Sequence, residues 1–317
     1  MTDNTENLIR EAFEAEAERA TDSRAVLAEL ERRKPQRRLR APIALAAFAV
    51  LLIAAVGIAV PQVLRDQAPP AAASATDQNV LVAGVDDYGS ADSIVLAHLG
   101  KDGSASAIML PRDAVVDIPG HGEGTLGSAY RLGGTDKLVA TVRALTGTDI
   151  DHYAIVDMPG VARLSTAVGG VPVCLRVPAN DTVTGFSLAE GTHTLEGEQA
   201  LLFLRQRHGL PNGDLDRIER LQVFLRSLVK QAAGKLSDSR VVAAVRDSVH
   251  TDPGWNPLEA ADLLRGTLST ATIPLGAEEA PTPEGGAGIG VAPEEVRQFV
   301  RDFTAAPPPA NDADCVN

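Results

Sequence analysis

The chain is poor in aromatic residues and has no excess of positive charge. Only 3% of its 317 residues are Phe, Trp or Tyr, and its formal net charge is −13. A nucleic-acid-binding protein needs a basic surface and often uses stacked rings, so the composition disfavours that class. Hydrophobic residues make up 44% and charged residues 22% of the chain. These proportions are typical of a folded globular protein and argue against wholesale disorder.

Several catalytic signatures are also missing. The chain has two cysteines, Cys174 and Cys315, which are too few for a structural zinc site or a disulfide framework. Its histidines do not follow HExxH spacing, and neither a GxSxG nucleophile elbow nor a P-loop is present. The sequence therefore gives no indication of a zinc protease, a serine hydrolase or a nucleotide-binding protein.

One long apolar segment dominates the first quarter of the chain. Residues 41–64 carry no charged side chain, and about 20 residues are enough to cross the hydrocarbon core of a membrane. Six basic residues lie between positions 32 and 40, which places the amino-terminal end in the cytoplasm. The alternative is a cleaved signal peptide, for which Ala73-Ser74-Ala75 is a candidate site. A signal peptide has a shorter apolar core and a shorter leader, so we expect an uncleaved anchor in the cell membrane.

The remaining sequence divides into parts of different composition. We predict a cytoplasmic tail (1–40), a transmembrane helix (41–64), an extracytoplasmic linker (65–77), a core (78–235) and an extension with a Pro/Gly-rich tail (236–317). Apolar runs typical of strands alternate with helical patterns in the core, which predicts a layered α/β domain. Predicted strands are 79–85, 93–99, 105–110, 153–156 and 171–177; predicted helices include 135–145, 196–204 and 214–232.

The two cysteines lie in the part of the chain that we expect outside the cell, where a disulfide can form. A bridge between Cys174 and Cys315 would tie the last residues to the core. Alternatively, the two thiols are unrelated and one of them is a small buried hydrophobic residue. The sequence favours the bridge.

Two aspartates lie where predicted strands end and begin. Asp86 ends the first strand and Asp92 precedes the second. Carboxylates at adjacent strand ends can hold one hard cation, and Mg²⁺ typically takes one or two carboxylates together with phosphate oxygens. Aspartates in loops are also common turn formers, so both interpretations stay open at this point.

An arginine cluster is the second charged feature. Arg205 and Arg207 follow an apolar run, and Arg112 follows the third predicted strand. Asp214, Arg217 and Arg220 are spaced by three and therefore lie near one face of a helix. Guanidinium groups suit the bidentate binding of phosphate, although a solvated helix with ordinary salt bridges has the same pattern. In an acidic chain the cluster favours an anion site.

These features, in this order, resemble the LytR-CpsA-Psr family of bacterial envelope proteins over residues 80–232. The resemblance is carried by Gly84-Val85-Asp86, Ala91-Asp92-Ser93, Leu110-Pro111-Arg112-Asp113, Ser128-Ala129-Tyr130, Asp151-His152-Tyr153, the stretch 191–201, and Arg205-Gln206-Arg207-His208-Gly209-Leu210-Pro211 with Asp214, Arg217 and Arg220. The preference for Arg over Lys is typical of a GC-rich genome, such as that of an actinobacterium.

The resemblance implies a fold, an activity and a site. The fold would be an α/β/α sandwich around a mixed central sheet, with an apolar groove for a polyprenyl chain. The activity would be a phosphotransferase that moves a glycopolymer from a polyprenyl pyrophosphate carrier to a hydroxyl of peptidoglycan. Asp86 and Asp92 would hold Mg²⁺. The pyrophosphate site would comprise Arg112, Arg205, Arg207 and Arg217, with Asp214 orienting the arginines and Arg220 as a supporting partner.

The chain departs from the family pattern at several positions. An Arg usual before the Ser-Asp step is absent from Ser90-Ala91-Asp92, a basic residue is replaced by Thr125, a usual Asn by Gly127, and a common Gln by Leu221. These changes remove phosphate or supporting contacts. A non-catalytic binder of the carrier lipid is therefore the alternative function. A transcriptional attenuator needs a basic cytoplasmic domain, which the neutral tail does not provide. The sequence does not choose among arabinogalactan, teichoic acid and capsule as the polymer.

Overall fold

The computed structural model describes residues 76–86, 88–261, 268–276, 279–282, 285–309 and 315–317. The predicted tail, the predicted transmembrane helix and nearly all of the predicted linker lie outside these ranges. Within the described residues, no helix combines the length and the apolar character that a membrane crossing needs.

Strands and helices are mixed along the chain. The strands are β1 (Gln78–Val85), β2 (Ala91–Leu99), β3 (Ala105–Met109), β4 (Val115–Ile118), β5 (Gly122–Thr125), β6 (His152–Asp157), β7 (Val171–Leu175), β8 (Ala179–Asn180), β9 (Ser187–Leu188), β10 (Gly191–Leu195), β11 (Val249–Thr251), β12 (Leu268–Thr272), β13 (Glu279–Pro281) and β14 (Ala287–Ile289). The helices are α1 (Ser128–Thr146), α2 (Met158–Ala167), α3 (Gly197–Arg205), α4 (Asp214–Ala232), α5 (Ser239–Ser248), α6 (Pro257–Ala261) and α7 (Pro293–Ala305).

The main sheet has six strands in the order β11-β6-β1-β2-β3-β12. It is mixed, because β1 is antiparallel to β2 and parallel to β6, while β12 is parallel to β3. Leu81 at the centre of β1 lies opposite Leu96 of β2 and Tyr153 of β6. The structure thus has the α/β fold that the sequence pattern predicted and the mixed central sheet that the family resemblance implied.

Helices cover both faces of this sheet. Alternate residues of a strand point to opposite faces, so Leu81 packs in a core with Leu138 of α1 and Val296 of α7. Val80, on the other face, belongs to a core that includes Ile218 and the partly buried Leu225 of α4. Burial on both sides explains why β1 reads as a nearly continuous apolar run.

A third core supports the segment that carries the predicted arginine pair. It joins β7 and β10 to α3 and α4, with Val173, Phe203 and Phe224 among its buried residues. Cys174 and Cys315 are joined by a disulfide across a sequence separation of 141 residues. The last described residues therefore lie against β7, where Val316 donates its N–H to the Cys174 carbonyl at 2.9 Å.

Some elements differ from the sequence-based expectation. Helix α1 begins at Ser128 instead of residue 135, and it contains a break at Gly133 and Gly134. Gly134 has a φ of 64°, a backbone conformation that residues other than glycine rarely adopt. The predicted helical pattern therefore covers only the regular part after this break. Residues beyond 235 complete the main fold, since β12 forms one edge of the sheet and α7 covers one face.

Candidate active site

The site forms where β1 ends, β2 begins and the chain leaves β3. The loop after β3 lies against the residue before α1. Gly127 accepts a hydrogen bond from the Ala91 N–H at 3.1 Å and donates its own N–H to the Arg112 carbonyl at 2.8 Å. A Cβ atom at position 127 would meet the Ala91 carbonyl oxygen at 2.7 Å. Only glycine fits this close approach of three backbone segments.

Asp92 is the centre of the charged cluster. Its carboxylate accepts a hydrogen bond from Arg112 Nη1, and Arg207 Nη2 lies 4.0 Å from the same carboxylate oxygen. Arg217 Nη2 donates to the main-chain oxygen of Asp92 at 3.5 Å. Three guanidinium groups from separate parts of the chain therefore converge on one half-buried aspartate.

Charged groups of both signs surround Arg217. Its guanidinium pairs with the Asp214 carboxylate at 2.9 Å. Burial is the largest influence and lowers the pKa of Arg217, the Asp214 and Asp113 carboxylates raise that pKa, and the positive charges of Arg207 and Arg112 lower it. Nearby like charges disfavour the charged form of each group, so an anion bound among these arginines would be strongly stabilised.

An apolar cavity opens directly beside these arginines. It has a volume of about 250 Å³, and Asp92, Arg205 and Arg217 contribute to its lining at one end. Apart from Ser93, the rest of its wall is apolar and comes from the sheet face on one side and the helices on the other. These residues are Val82, Gly84, Val95, Ala154, Val156, Met158, Val161, Leu164, Leu201, Leu204, Leu221, Phe224, Leu225, Leu228 and Val249.

A second apolar cavity, of about 220 Å³, continues along the same sheet face. The two cavities share Val82, Val95, Ala154 and Leu225 as lining residues, and we call the pair the apolar groove. Along α4 the groove extends from Arg217 to Val229, which is about 18 Å at 1.5 Å rise per residue. The groove is thus long and narrow, with charge at one end only.

Asp86 lies at the end of β1 and stabilises the loop that follows. Its Oδ1 accepts the N–H groups of Tyr88 at 2.9 Å and Ser90 at 2.8 Å, which is the turn-forming role that aspartates commonly take. Among the described residues, no group of three or more His, Cys, Asp or Glu side chains is arranged to hold a metal ion. The carboxylates at this edge are those of Asp86 and Asp92, whose Oδ1 atoms contact the loop N–H groups and Arg112 respectively. Two carboxylates are a set that Mg²⁺ accepts together with phosphate oxygens.

Arg220 occupies a different environment from the other arginines. Its side chain is fully buried, and Nη1 donates to the Gln206 Oε1 at 2.7 Å and to the Phe203 carbonyl at 3.3 Å. Burial lowers the pKa of Arg220 to about 10, against the opposing attraction of Asp216. The guanidinium faces protein groups, so Arg220 supports the site from inside the domain.

The structure thus brings together Asp92, Arg112, Arg207, Asp214 and Arg217, with Arg205 on the same cavity. Sequence reasoning overlooked Gln206, although it lies inside the quoted Arg205-Gln206-Arg207 motif. A fully buried glutamine between two exposed arginines requires buried partners. Those partners are distant in the sequence, so the position of Gln206 in the motif does not by itself indicate that it is buried.

The fold and this site define a class of protein, an α/β domain that offers an anion site at the mouth of an apolar groove. Comparison with known sequences identifies the family. The sequence model of the LytR_cpsA_psr family matches residues 60–274. The chain therefore belongs to the LytR_cpsA_psr family.

Individual relatives give the same assignment. The chain is similar to the cell wall biosynthesis protein LcpA of Corynebacterium glutamicum, with 31% identity over 73% of this chain and 52% of the relative. It is also similar to the polyisoprenyl-teichoic acid--peptidoglycan teichoic acid transferase TagU of Enterococcus faecalis, with 32% identity over 57% of this chain and 63% of the relative. The chain thus spans between about half and two thirds of the length of these relatives.

A solved structure has the same fold. The crystal structure of B. subtilis TagV matches 74% of this chain and 99% of its own chain, with a TM-score of 0.62 and 22% identity.

Proposed function

We propose that this chain is a membrane-anchored phosphotransferase that acts outside the cell. It moves a glycopolymer from a polyprenyl pyrophosphate carrier to a hydroxyl of peptidoglycan and releases polyprenyl phosphate. The observation that carries the proposal is the arginine cluster at one end of the apolar groove. A lipid pyrophosphate is a ligand with a long apolar tail and a strongly anionic head, so both parts of the ligand have a matching surface.

The relatives support the reaction class. One of them is named as a transferase of teichoic acid to peptidoglycan and another as a cell wall biosynthesis protein. The polymer that this chain transfers would be a cell wall polymer of its own organism. The anchor is the apolar segment 41–64, and the basic residues before it place the domain on the outer side of the membrane.

In the proposed reaction, Arg112, Arg205, Arg207 and Arg217 bind the pyrophosphate. Asp214 holds Arg217 by the 2.9 Å ion pair and so orients it. The acceptor hydroxyl oxygen bonds to the phosphorus that carries the sugar, the bridging P–O bond breaks, and polyprenyl phosphate leaves. The hydroxyl proton passes to a carboxylate of the site. Phosphoryl transfer depends mainly on positioning and on charge neutralisation, which these arginines supply.

Mg²⁺ is the proposed cofactor, with Asp86 and Asp92 as the protein ligands. When bound, the ion would neutralise charge that develops on the phosphate oxygens. The donor chemistry supports this assignment, since two carboxylates together with phosphate oxygens are a common ligand set for Mg²⁺.

The proposal is tested with the full chain in detergent, a polyprenyl pyrophosphate-linked sugar and a peptidoglycan glycan acceptor, with Mg²⁺ or with EDTA. Polyprenyl phosphate release and labelling of the acceptor are measured together. We expect transfer with Mg²⁺ that EDTA removes, and its loss in Arg205→Ala and Asp92→Ala. Arg240→Ala is the matched control, because Arg240 is an exposed arginine of α5 paired with Asp238. Lipid binding without any transfer would identify a non-catalytic carrier-lipid binder instead.

The polymer is identified by a separate measurement. Mass spectrometry of the lipid that co-purifies with the full chain would name the carrier and the sugar attached to it. We expect a polyprenyl pyrophosphate, and a phospholipid of the bulk membrane alone would contradict the proposal.

A further inference from the structure

The two exposed arginines of the Arg205-Gln206-Arg207 motif flank a buried side chain. Arg205 and Arg207 are exposed, whereas Gln206 has no exposed surface. The helix α3 ends at Arg205, and the Gln206 N–H caps it with a hydrogen bond to the Leu202 carbonyl at 3.0 Å. Beyond this cap the segment that holds Arg207 is not helical, and Gln206 is its buried side chain.

Gln206 is held by hydrogen bonds at both ends of its amide. Its Oε1 accepts from Arg220 Nη1 at 2.7 Å. Its Nε2 donates to the His208 carbonyl at 2.9 Å and to the Asn180 carbonyl at 3.3 Å. One side chain therefore connects α4, the turn after Arg207 and the β8 segment.

Arg220 is in turn fixed from three directions. Its Nη1 also donates to the Phe203 carbonyl at 3.3 Å, and its guanidinium lies 4.8 Å from the centroid of the Phe203 ring. Its Nε donates to the main-chain oxygen of Asn317. A buried guanidinium with several partners has little freedom to move, so it is a rigid support for Gln206.

The segment 315–317 completes this support. The disulfide fixes Cys315 to β7, the Arg176 N–H donates to the Val316 carbonyl at 2.7 Å, and the Asn317 Nδ2 donates to Asp216 Oδ1 at 3.3 Å. Asp216 is buried and also accepts from the main chain and side chain of Asn212. These contacts connect the disulfide to Gln206 through Asn317 and Arg220.

We propose that Gln206 is a positioning residue of the transfer reaction, and that Arg220 and the disulfide-anchored segment 315–317 hold it in place. Gln206 fixes the backbone between Arg205 and Arg207, and thereby sets where both guanidinium groups meet the pyrophosphate. This inference rests on the proposed function, because its consequence is a rate of transfer. Neither Gln206 nor Asn317 contacts the substrate, and both act through the arginine pair.

The test compares variants of the full chain in detergent. Gln206→Met keeps the side-chain volume and removes all three hydrogen bonds, while Gln206→Glu keeps an acceptor for Arg220. Gln222→Met is the matched control, since Gln222 is a half-buried glutamine of α4 that bonds to Thr272. The measurements are kcat and KM for the lipid-linked donor, and hydrogen–deuterium exchange over residues 205–213.

Gln206→Met should lower kcat by about tenfold to a hundredfold, because an error of about 1 Å in a catalytic group has an effect of that size. KM should change by less than about threefold, because the contacts with the groove persist. Exchange over residues 205–213 should rise while exchange in the centre of α4 stays the same. Gln206→Glu should lie between wild type and Gln206→Met, because it keeps the acceptor for Arg220 but loses the donor to the His208 and Asn180 carbonyls. Gln222→Met should behave as wild type.

If the wild-type protein transfers the polymer, an unchanged kcat in Gln206→Met would overturn the inference. If wild type transfers nothing, the proposed function fails, and exchange over residues 205–213 becomes the readout. Unchanged exchange in Gln206→Met would then overturn the positioning role separately. If Gln206→Met does not fold, Gln206→Glu carries the test, because it loses the donor to the His208 and Asn180 carbonyls, and wild-type rate and exchange in Gln206→Glu would overturn the inference.

Discussion

Asp92 and Arg112 form an ion pair between the start of β2 and the loop that follows β3. The two side chains are half buried, and Arg112 Nε also contacts Asp113 at 3.1 Å. A guanidinium held by two carboxylates presents its remaining N–H groups in a fixed direction. This pair therefore determines which way one side of the proposed pyrophosphate site faces.

Replacing Arg112 by lysine tests that geometry. Arg112→Lys keeps the positive charge but loses the planar fork that pairs with a carboxylate and a phosphate together. We expect transfer to fall by about a hundredfold to a thousandfold, as for the loss of one transition-state donor. The measurement is the initial rate of polyprenyl phosphate release, with Arg240→Lys as the control. A rate equal to that of wild type would show that charge alone is sufficient at this position.

Filling the apolar groove should prevent lipid binding. Leu225 lines both cavities, and Leu225→Trp would place a large side chain at their junction. We expect the affinity for a polyprenyl phosphate to fall by at least about tenfold, measured by calorimetry in detergent, since a few buried CH₂ groups account for that change. Val177→Trp adds the same bulk at an exposed position outside the groove. Equal losses in the two variants would argue against the groove as the lipid site.

Removing the disulfide should reduce stability. The bridge closes a loop of 141 residues, and a loop of that size restricts the unfolded chain by an amount corresponding to about 2–5 kcal/mol. The double variant Cys174→Ser/Cys315→Ser should therefore unfold at lower urea concentration than the oxidised protein. Wild type with reductant should match the double variant. Identical urea midpoints in all samples would show that the bridge adds nothing to folding.

The buried carboxylate of Asp216 should make stability depend on pH. Burial is the largest single influence and raises its pKa, but the hydrogen bonds from Asn212 and Asn317 and the charge of Arg220 lower the pKa below its ordinary value of 3.8. A group with a lowered folded pKa stabilises the protein above pH 3.8, and this stabilisation is lost as pH falls through the folded pKa. We expect Asp216→Asn to reduce the free energy of unfolding at neutral pH by about 1–3 kcal/mol.

The pH series for Asp216→Asn is measured by urea unfolding. The difference from wild type should shrink below pH 3.8, because the wild-type carboxyl is then increasingly protonated. Asp302→Asn, an exposed substitution on α7, should change stability by less than about 0.5 kcal/mol at each pH. A difference between wild type and Asp216→Asn that persists unchanged in acid would contradict the assigned role of the charge.

Local sequence patterns predicted much of the main sheet and the long helix α4. The apolar run that became β1 is buried on both faces, and the helical spacing of Ile218, Leu221 and Leu225 reflects one packed face. Asp86 and the pair Arg205 and Arg207 were also recognisable in the sequence. Each follows an apolar run, and charged residues in that position mark the end of a strand or helix. These signals are short-range, so they survive without knowledge of the tertiary fold.

Contacts between distant residues were not predictable in the same way. Nothing near Gln206 in the chain indicates that Arg220 would hold it, and nothing near Arg220 indicates the Asn317 carbonyl, which is 97 positions away. The backbone approach that requires Gly127 likewise depends on where β2 and the loop after β3 meet. Such features arise from tertiary packing, and sequence periodicity carries no information about them.

The groove has one consequence for the domain without its ligand. Gly84, Ala97, Ala107 and Ala154 give the sheet wall small side chains, and an unfilled apolar volume lowers the stability of a protein core. We expect the isoprenoid tail of the proposed carrier to fill this volume and to add packing that the small side chains of the sheet do not provide. Heat resistance of the protein should thus report directly on whether a carrier molecule is loaded.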